Sequence, residues 1–413
     1  MVSAILSRSQ SARIRTQSFN SPRASLVKRK WWAPESFLNV LPVVLILIAL
    51  VLVLGSVAYS SYFRDLSRGN LVPGLVDRDE KCDVFEGSWV RDGNYPLYNS
   101  SECPFAERGF NCLANGRKDT EYQKWRWKPK RCDVPRFNAS EILERLRDKR
   151  VVFVGDSMSR TQWESLICML MTGVSDPNSV YEVNGNQISK TIRFLGVYFQ
   201  AFNLRVEFFR SVYLVQQGLP PKHAPSRVKS ALRLDKMDEI NRKWVDADVL
   251  IFNSGHWWTR TKLIDSGCYF QAAQSLKLGL SITSAFRMAL NTWASWVETR
   301  INTNKTHVFF RTYEPSHWSE SNPKVCELTE QPMPDAQGND RSEFADIISE
   351  VVRNMRVPAV VLNVTSMGAV RSDAHIGNWS HPVASFDCSH WCLPGVPDAW
   401  NELLFSYLLT DGW

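Results

Sequence analysis

Nothing in these 413 residues is built to hold a nucleotide or a metal ion. There is no G-x-G-x-x-G turn and no P-loop, so nucleotide chemistry has no cradle. No cysteines stand as a C-x₂-C pair, and no histidine lies at ligand spacing beside them, which excludes a zinc ribbon or finger. The net charge of +7 lacks the distribution of a nucleic-acid surface. Residues 1–37 hold seven Lys/Arg against Glu35 alone, and the rest of the chain holds 42 basic against 41 acidic residues. The excess is confined to a tail, and nucleic acid is excluded as a partner.

Long apolar runs are equally scarce. Only residues 37–59 are continuous, uncharged and long enough, since about 20 residues cross a bilayer as a helix. Basic residues upstream place the N-terminus in the cytosol. A cleaved signal peptide would have a shorter apolar region and a less remote basic one. The expected organisation is a cytosolic tail (1–36), a signal anchor (37–59), a stem (60–80), a cysteine-rich collar (81–135) and a main domain (136–413). All nine cysteines follow the apolar run, as a lumenal disulfide framework requires. Five N-x-S/T acceptors, at Asn99, Asn138, Asn304, Asn363 and Asn378, fit the same placement.

From residue 137 the pattern is α/β. Buried strands are predicted at 151–154, 247–256, 307–313 and 359–364, with β-rich stretches over 181–209. Helices are predicted at 140–149, 161–170, 281–300, 342–355 and 398–409. Strands alternating with helices imply a doubly wound parallel sheet. Trp293 and Trp296 fall on the apolar stripe of the 281–300 helix and read as core.

The stretch Val151-Val152-Phe153-Val154-Gly155-Asp156-Ser157 ends a buried strand in a tight turn before a helix. A serine there is exposed at the carboxyl edge of the sheet, with a helix N-terminus behind it. That suits a nucleophile, although an N-cap on an ordinary βα turn reads the same way. The partners decide between them. In Asp387-Cys388-Ser389-His390-Trp391-Cys392-Leu393-Pro394-Gly395, Asp387 and His390 stand three apart, so in a turn or first helical turn both can point one way. Asp387 would orient His390, and His390 would serve Ser157 as base.

These motifs, with the entry Cys82-Asp83-Val84-Phe85-Glu86-Gly87-Ser88-Trp89-Val90 and the run Lys124-Trp125-Arg126-Trp127-Lys128-Pro129, resemble the plant trichome-birefringence-like proteins. Those are Golgi polysaccharide O-acetyltransferases with a PMR5-type N-terminal domain and a PC-esterase domain related to the GDS (SGNH-type) esterases. The resemblance runs from about residue 81 to the C-terminus. It implies Ser157 as nucleophile, Asp387 as orienter and His390 as base, on an SGNH-type sheet with the disulfide-rich collar packed against it. Sequence leaves the connectivity open. With the resemblance in hand, the expected bridges are Cys82–Cys132, Cys103–Cys168, Cys112–Cys392 and Cys326–Cys388, with Cys268 left over.

The same resemblance places a polysaccharide substrate in the site. Gly155, Asp156 and Arg160 surround the nucleophile, and Asn253 is the candidate oxyanion donor. His256, Arg311, His317 and Trp318 are candidate sugar or donor contacts, with a packed aromatic corner the alternative reading for His256 beside Trp257 and Trp258. Trp257, Trp258, Trp318 and Trp391 are expected to form an aromatic surface there. The implied activity is acetyl transfer to a cell-wall polysaccharide, pectin or a hemicellulose such as xylan, through an acetyl-serine. No bound cofactor is needed. The co-substrate is acetyl-CoA or a derived acetyl carrier, and the implied partners are the polysaccharide, the Golgi membrane and acetyl-donor transport proteins. Alternatives are a lumenal polysaccharide acetyl esterase and a non-catalytic polysaccharide-binding wall protein.

Overall fold

In the computed structural model, residues 51–53, 55, 82–379 and 386–410 are described. The expected tail and stem lie outside them, as does all of the expected anchor except 51–53 and 55, which are helical and exposed. Among the described residues no helix is long and apolar enough to cross a membrane.

Residues 82–410 belong to one unit. The collar contributes a hairpin, β1 (Gly87–Arg91) and β2 (Trp125–Pro129), in which Trp89 lies opposite Trp127. After helix α1 (Ala139–Arg145) comes strand β3 (Arg150–Gly155) and helix α2 (Ser157–Met171). Strands β4 (Val180–Glu182), β5 (Phe194–Phe199) and β6 (Leu204–Arg210) follow, then β7 (Val215–Gly218), β8 (Ser230–Met237) and β9 (Val249–Asn253). Next are β10 (Cys268–Ala272), β11 (Ser275–Lys277), α3 (Ile282–Arg300), β12 (His307–Arg311), α4 (Glu343–Arg353) and β13 (Val360–Leu362). The chain ends through α5 (Thr365–Ala369), the pair β14 (His375–Gly377) and β15 (Asp387–Trp391), and α6 (Val396–Thr410).

The central sheet has the order β13-β12-β9-β3-β6-β5-β4. Its five strands from β13 to β6 run parallel, and β5 and β4 are added antiparallel. Both faces are covered, so its central strands β3, β9 and β12 carry continuous apolar runs, over 151–154, 249–252 and 308–310, rather than alternate ones. Val152 and Val154 face the core holding α3 and α4, whereas Val151 and Phe153 face the core holding α2 and α6. Each fully buried Phe in these layers, Phe153 or Phe310 for example, contributes about 2–3 kcal/mol by leaving water. Trp293 and Trp296 are core, as their spacing predicts.

A second sheet, β11-β10-β8-β7, closes the α3 side and was not anticipated. Helix α2 is buried around its whole circumference. Two of its polar residues bond across to α6, Ser165 Oγ donating to Asp398 Oδ1 at 2.6 Å and Gln162 Nε2 to Asn401 Oδ1 at 3.2 Å.

The four disulfides are Cys82–Cys132, Cys103–Cys168, Cys112–Cys392 and Cys326–Cys388, the pairs that the resemblance implies, and Cys268 is free and buried. Two of them fasten the collar to α2 and to the segment after β15. A third core, with Phe110, Trp127, Trp391 and Trp400, fills the space between.

The chain leaves β3 toward β6 on one side and later returns to β9 on the other. The strand order therefore reverses between β3 and β9, and in open α/β sheets the crevice at such a reversal receives the ligand. Ser157 follows the end of β3 there, and Asn253 ends β9.

Candidate active site

The turn from β3 into α2 is held by three short-range devices. Asp156 caps the helix, its Oδ1 accepting the Met158 N–H at 2.9 Å. The Asp156 backbone N–H donates to Asn253 Oδ1 at 3.1 Å, and Asn253 Nδ2 returns a hydrogen bond to Asp156 Oδ1 at 3.0 Å. Gly155 lies so close that an added Cβ would fall 1.9 Å from Asn253 Oδ1 and 2.7 Å from its carbonyl oxygen. Ser157 becomes the first residue of α2, with its backbone N–H at the positive end of the helix.

Ser157 Oγ lies 2.6 Å from His390 Nε2, and His390 Nδ1 lies 2.8 Å from Asp387 Oδ2. With a carboxylate on Nδ1, that nitrogen donates, so the lone pair of Nε2 faces the serine hydroxyl. Asp387 Oδ1 accepts the backbone N–H groups of Ser389 at 3.1 Å and His390 at 3.0 Å. Both oxygens are used, which fixes the carboxylate in its plane. Asp387 and His390 stand on the bulged strand β15, not in a turn or first helical turn as the spacing suggested. In a regular strand, residues three apart face opposite ways. The two amides gathered on Asp387 bend the chain enough to bring both side chains to one side.

Burial alone would raise the Asp387 carboxyl, but the charge of His390, its ring hydrogen bond and the two amides hold it below the usual carboxylate range. Burial alone would lower the His390 imidazole, and Asp387, by charge and hydrogen bond, turns the balance so that it is raised. Activity that needs neutral His390 should therefore fall with acid along a limb lying above the ordinary histidine pKa of about 6.5. Asp387→Asn removes the stabilising charge and should move that limb to lower pH, besides slowing the rate. An unmoved limb in the pH–rate profile would show that Asp387 does not act through His390.

The triad opens on a cavity of about 1160 Å³ lined also by Arg160, His256, Trp257, Tyr313 and Trp318. Trp318 is 39% exposed. His256 stacks on Tyr313 with ring centroids 4.5 Å apart, and its Nε2 lies 3.1 Å from the Glu314 carbonyl oxygen. Burial pushes its imidazole down to about 4, so it is neutral. Arg160 is buried, bonded to Glu164 and, at 2.5 Å, to Glu107, with its guanidinium 4.7 Å from the Phe110 ring centroid.

Several expected contacts are elsewhere. Arg311 is fully buried, paired with Glu314 and stacked over Trp400, so it does not touch the cavity. His317 is buried against His375 at 2.7 Å and the Ala369 carbonyl oxygen at 2.9 Å. Trp258 and Trp391 are core, which reduces the expected aromatic surface to Trp257 and Trp318. Asn253 is buried and spends its side chain on Asp156, so it braces the turn rather than lining the cavity.

Collar residues were missed. Phe110 lies 5.7 Å from the His390 ring, centroid to centroid, and Glu107 anchors Arg160. Their only signal was proximity to Cys103 and Cys112, which the disulfides carry to α2 and β15. All five sequon asparagines, Asn99, Asn138, Asn304, Asn363 and Asn378, are exposed.

Comparison with known proteins places the pieces in one lineage. Residues 134–407 match the GDSL/SGNH-like acyl-esterase family found in Pmr5 and Cas1p, and residues 80–133 match the PMR5 N-terminal domain. Protein trichome birefringence-like 7 of Arabidopsis thaliana is 61% identical over 333 residues, covering 81% of this chain and 74% of that protein. Protein trichome birefringence-like 9 of the same plant is 41% identical, covering 80% and 84%. Protein trichome birefringence, also from Arabidopsis thaliana, is 38% identical, covering 80% of this chain and 57% of its own length. With the acyl-esterase match over most of its length, the collar match before it and these relatives, the chain belongs to the trichome birefringence-like family.

Proposed function

We propose that the chain is an O-acetyltransferase that acetylates hydroxyls of a plant cell-wall polysaccharide through an acetyl-Ser157 intermediate. The observation that carries the reading is the hydrogen-bonded line Ser157–His390–Asp387 at the wall of a cavity large enough for several sugar rings. An acyl-esterase domain supplies the reaction class.

In the first half, Ser157 Oγ attacks the acetyl carbonyl of an ester or thioester donor while His390 Nε2 takes its proton. The oxyanion forms at the N-terminus of α2, where the Ser157 backbone N–H is placed to receive it. The tetrahedral species collapses, the carbon–oxygen or carbon–sulfur bond to the leaving group breaks, and His390 returns the proton to that group. In the second half, His390 removes a proton from a sugar hydroxyl, whose oxygen attacks the acetyl-serine; the acetyl–Oγ bond breaks and His390 returns the proton to Ser157 Oγ. Asp387 stabilises the imidazolium in both halves. Acetyl-CoA or a carrier derived from it would serve as donor.

Lumenal placement in the Golgi, as a single-pass protein with a cytosolic N-terminus, is part of the same reading. It is supported by the uncharged run 37–59 and by the four disulfides.

Water competes with the sugar at the second step, and transfer requires an acceptor held at high effective concentration. With one small acetyl ester as donor, added cell-wall oligosaccharide should divert acetyl from free acetate to acetylated oligosaccharide, read by mass spectrometry. Trp318→Ala should reduce this transfer several-fold more than acetate release, since it weakens the acceptor platform without touching the triad. Acetate as the dominant product at saturating acceptor, for every glycan tried, would make the protein an esterase.

A further inference from the structure

The charge of the cavity wall is one-sided. Its acidic residues Glu107 and Asp387 are both occupied, the first by Arg160 and the second by His390. Lys190, Arg210, Lys262 and Arg341 line the same cavity, and none of the four makes a salt bridge among the described residues. They come from four separate segments: the loop before β5, the end of β6, the loop after β9 and the loop before α4. Their convergence is a product of the fold and not of a local basic run.

Two of them are fixed without being neutralised. The Arg210 guanidinium lies 5.3 Å and the Lys262 ammonium 4.8 Å from the ring of Trp257, which is half-buried and packed edge-on against Tyr213. A cation held by an aromatic face keeps its charge and its N–H donors. Arg210 is also paired in register with Gly155, the residue that begins the nucleophile turn. An unneutralised cation is therefore seated on the strand next to the one that presents Ser157. Uncompensated like charge around a partly enclosed crevice raises the local concentration of anions and steers them in.

The geometry points to an anionic acceptor: the Lys190–Arg210–Lys262–Arg341 wall binds carboxylates of uronic-acid residues in the polysaccharide, with Trp257 as the platform between them. This rests on the acetyl-transfer reading and narrows its substrate class to uronate-bearing polymers over neutral ones. The phosphates of a coenzyme A donor carry the same charge, and the test separates the two.

The full-length chain carrying Ser157→Ala, which cannot turn over, is titrated by calorimetry with three oligosaccharides of equal length. These are an oligomer of galacturonic acid, its fully methyl-esterified form and a neutral xylo-oligomer. The acid form should bind about tenfold tighter than either neutral one at low salt, as expected for one or two charge-assisted hydrogen bonds. That advantage should shrink as salt is raised toward physiological strength and beyond. Arg210→Gln with Lys262→Gln should erase most of the difference and leave affinity for the xylo-oligomer unchanged. The salt dependence is measured on unaltered cations, so the result does not hang on whether the double variant folds. Equal affinity for all three oligomers would overturn the inference. So would a double variant that loses affinity for coenzyme A but keeps it for the uronate oligomer, because the wall would then serve the donor. An enzyme that transfers acetyl with no uronate preference would sink this inference and leave the transferase standing, since binding is read without turnover.

Discussion

Replacing Ser157 by alanine should lower acetyl transfer about 10⁴-fold or more, with folding and glycosylation unchanged. The side chain is partly exposed and makes its hydrogen bond only with His390, so removing one oxygen leaves no cavity and no stranded buried group. The deep loss follows because, among the described residues, Ser157 Oγ is the hydroxyl bonded to His390 Nε2. His390→Ala and Asp387→Asn should each lose most of the rate as well. The double variants should lose little more than the worst single one, since the three groups act in one proton movement. Steady-state assays of the purified variants decide this. Near-normal transfer by Ser157→Ala would mean that another residue carries the acetyl group. Roughly multiplicative losses in the doubles would mean that Asp387 and His390 work independently.

Among the described glycines, Gly155→Ala places its added Cβ nearest another atom and should be strongly destabilising. Its Cβ would enter the space of the Asn253 side chain and backbone, 1.9 Å from Oδ1 and 2.7 Å from the carbonyl oxygen. Both contacts are on a central strand, packed between β3 and β12, which cannot move aside without separating the sheet. Overpacking of this kind costs about 3 kcal/mol. It should also part the Asp156–Asn253 hydrogen bonds and so displace Ser157, so activity should fall even below the unfolding transition. Gly93→Ala is the control, because a Cβ there meets nothing within 4 Å. Denaturant midpoints for the two variants should separate clearly. If Gly155→Ala unfolds at the midpoint of the parent chain, the turn is looser than its contacts imply.

The central sheet and the serine turn were legible because β3, β9 and β12 are buried on both faces and read as short apolar runs bounded by turn residues. The second sheet was not. Strands β7 and β8 carry Gln216, Gln217, Arg233, Asp235 and Lys236, and their register shifts beside Val215, so no clean alternation survives. Asp387 and His390 were legible as a pair through their spacing and the family motif, but their geometry comes from amides gathered on one carboxylate, which spacing does not encode. Arg311 and His317 misled for one reason. A charged or polar residue at a strand end is normally exposed, and only tertiary partners such as Glu314 and His375 allow it inside. The cations of the cavity wall escaped notice because four segments had to converge before they formed a wall.

The bridges have a consequence for when the protein can work. The serine turn is assembled from β3, α2 and β9 by hydrogen bonds and packing alone, so it can form as soon as those strands pair. The histidine arrives 233 positions later in the chain. Its strand is pinned on either side, by Cys388 to Cys326 and by Cys392 to Cys112, 280 residues away. A newly made chain in a reducing medium would therefore carry a nucleophile whose proton acceptor is untethered. On the proposed mechanism, oxidation would complete the reactive centre as well as strengthen the fold, and the chain would stay idle until these bridges form.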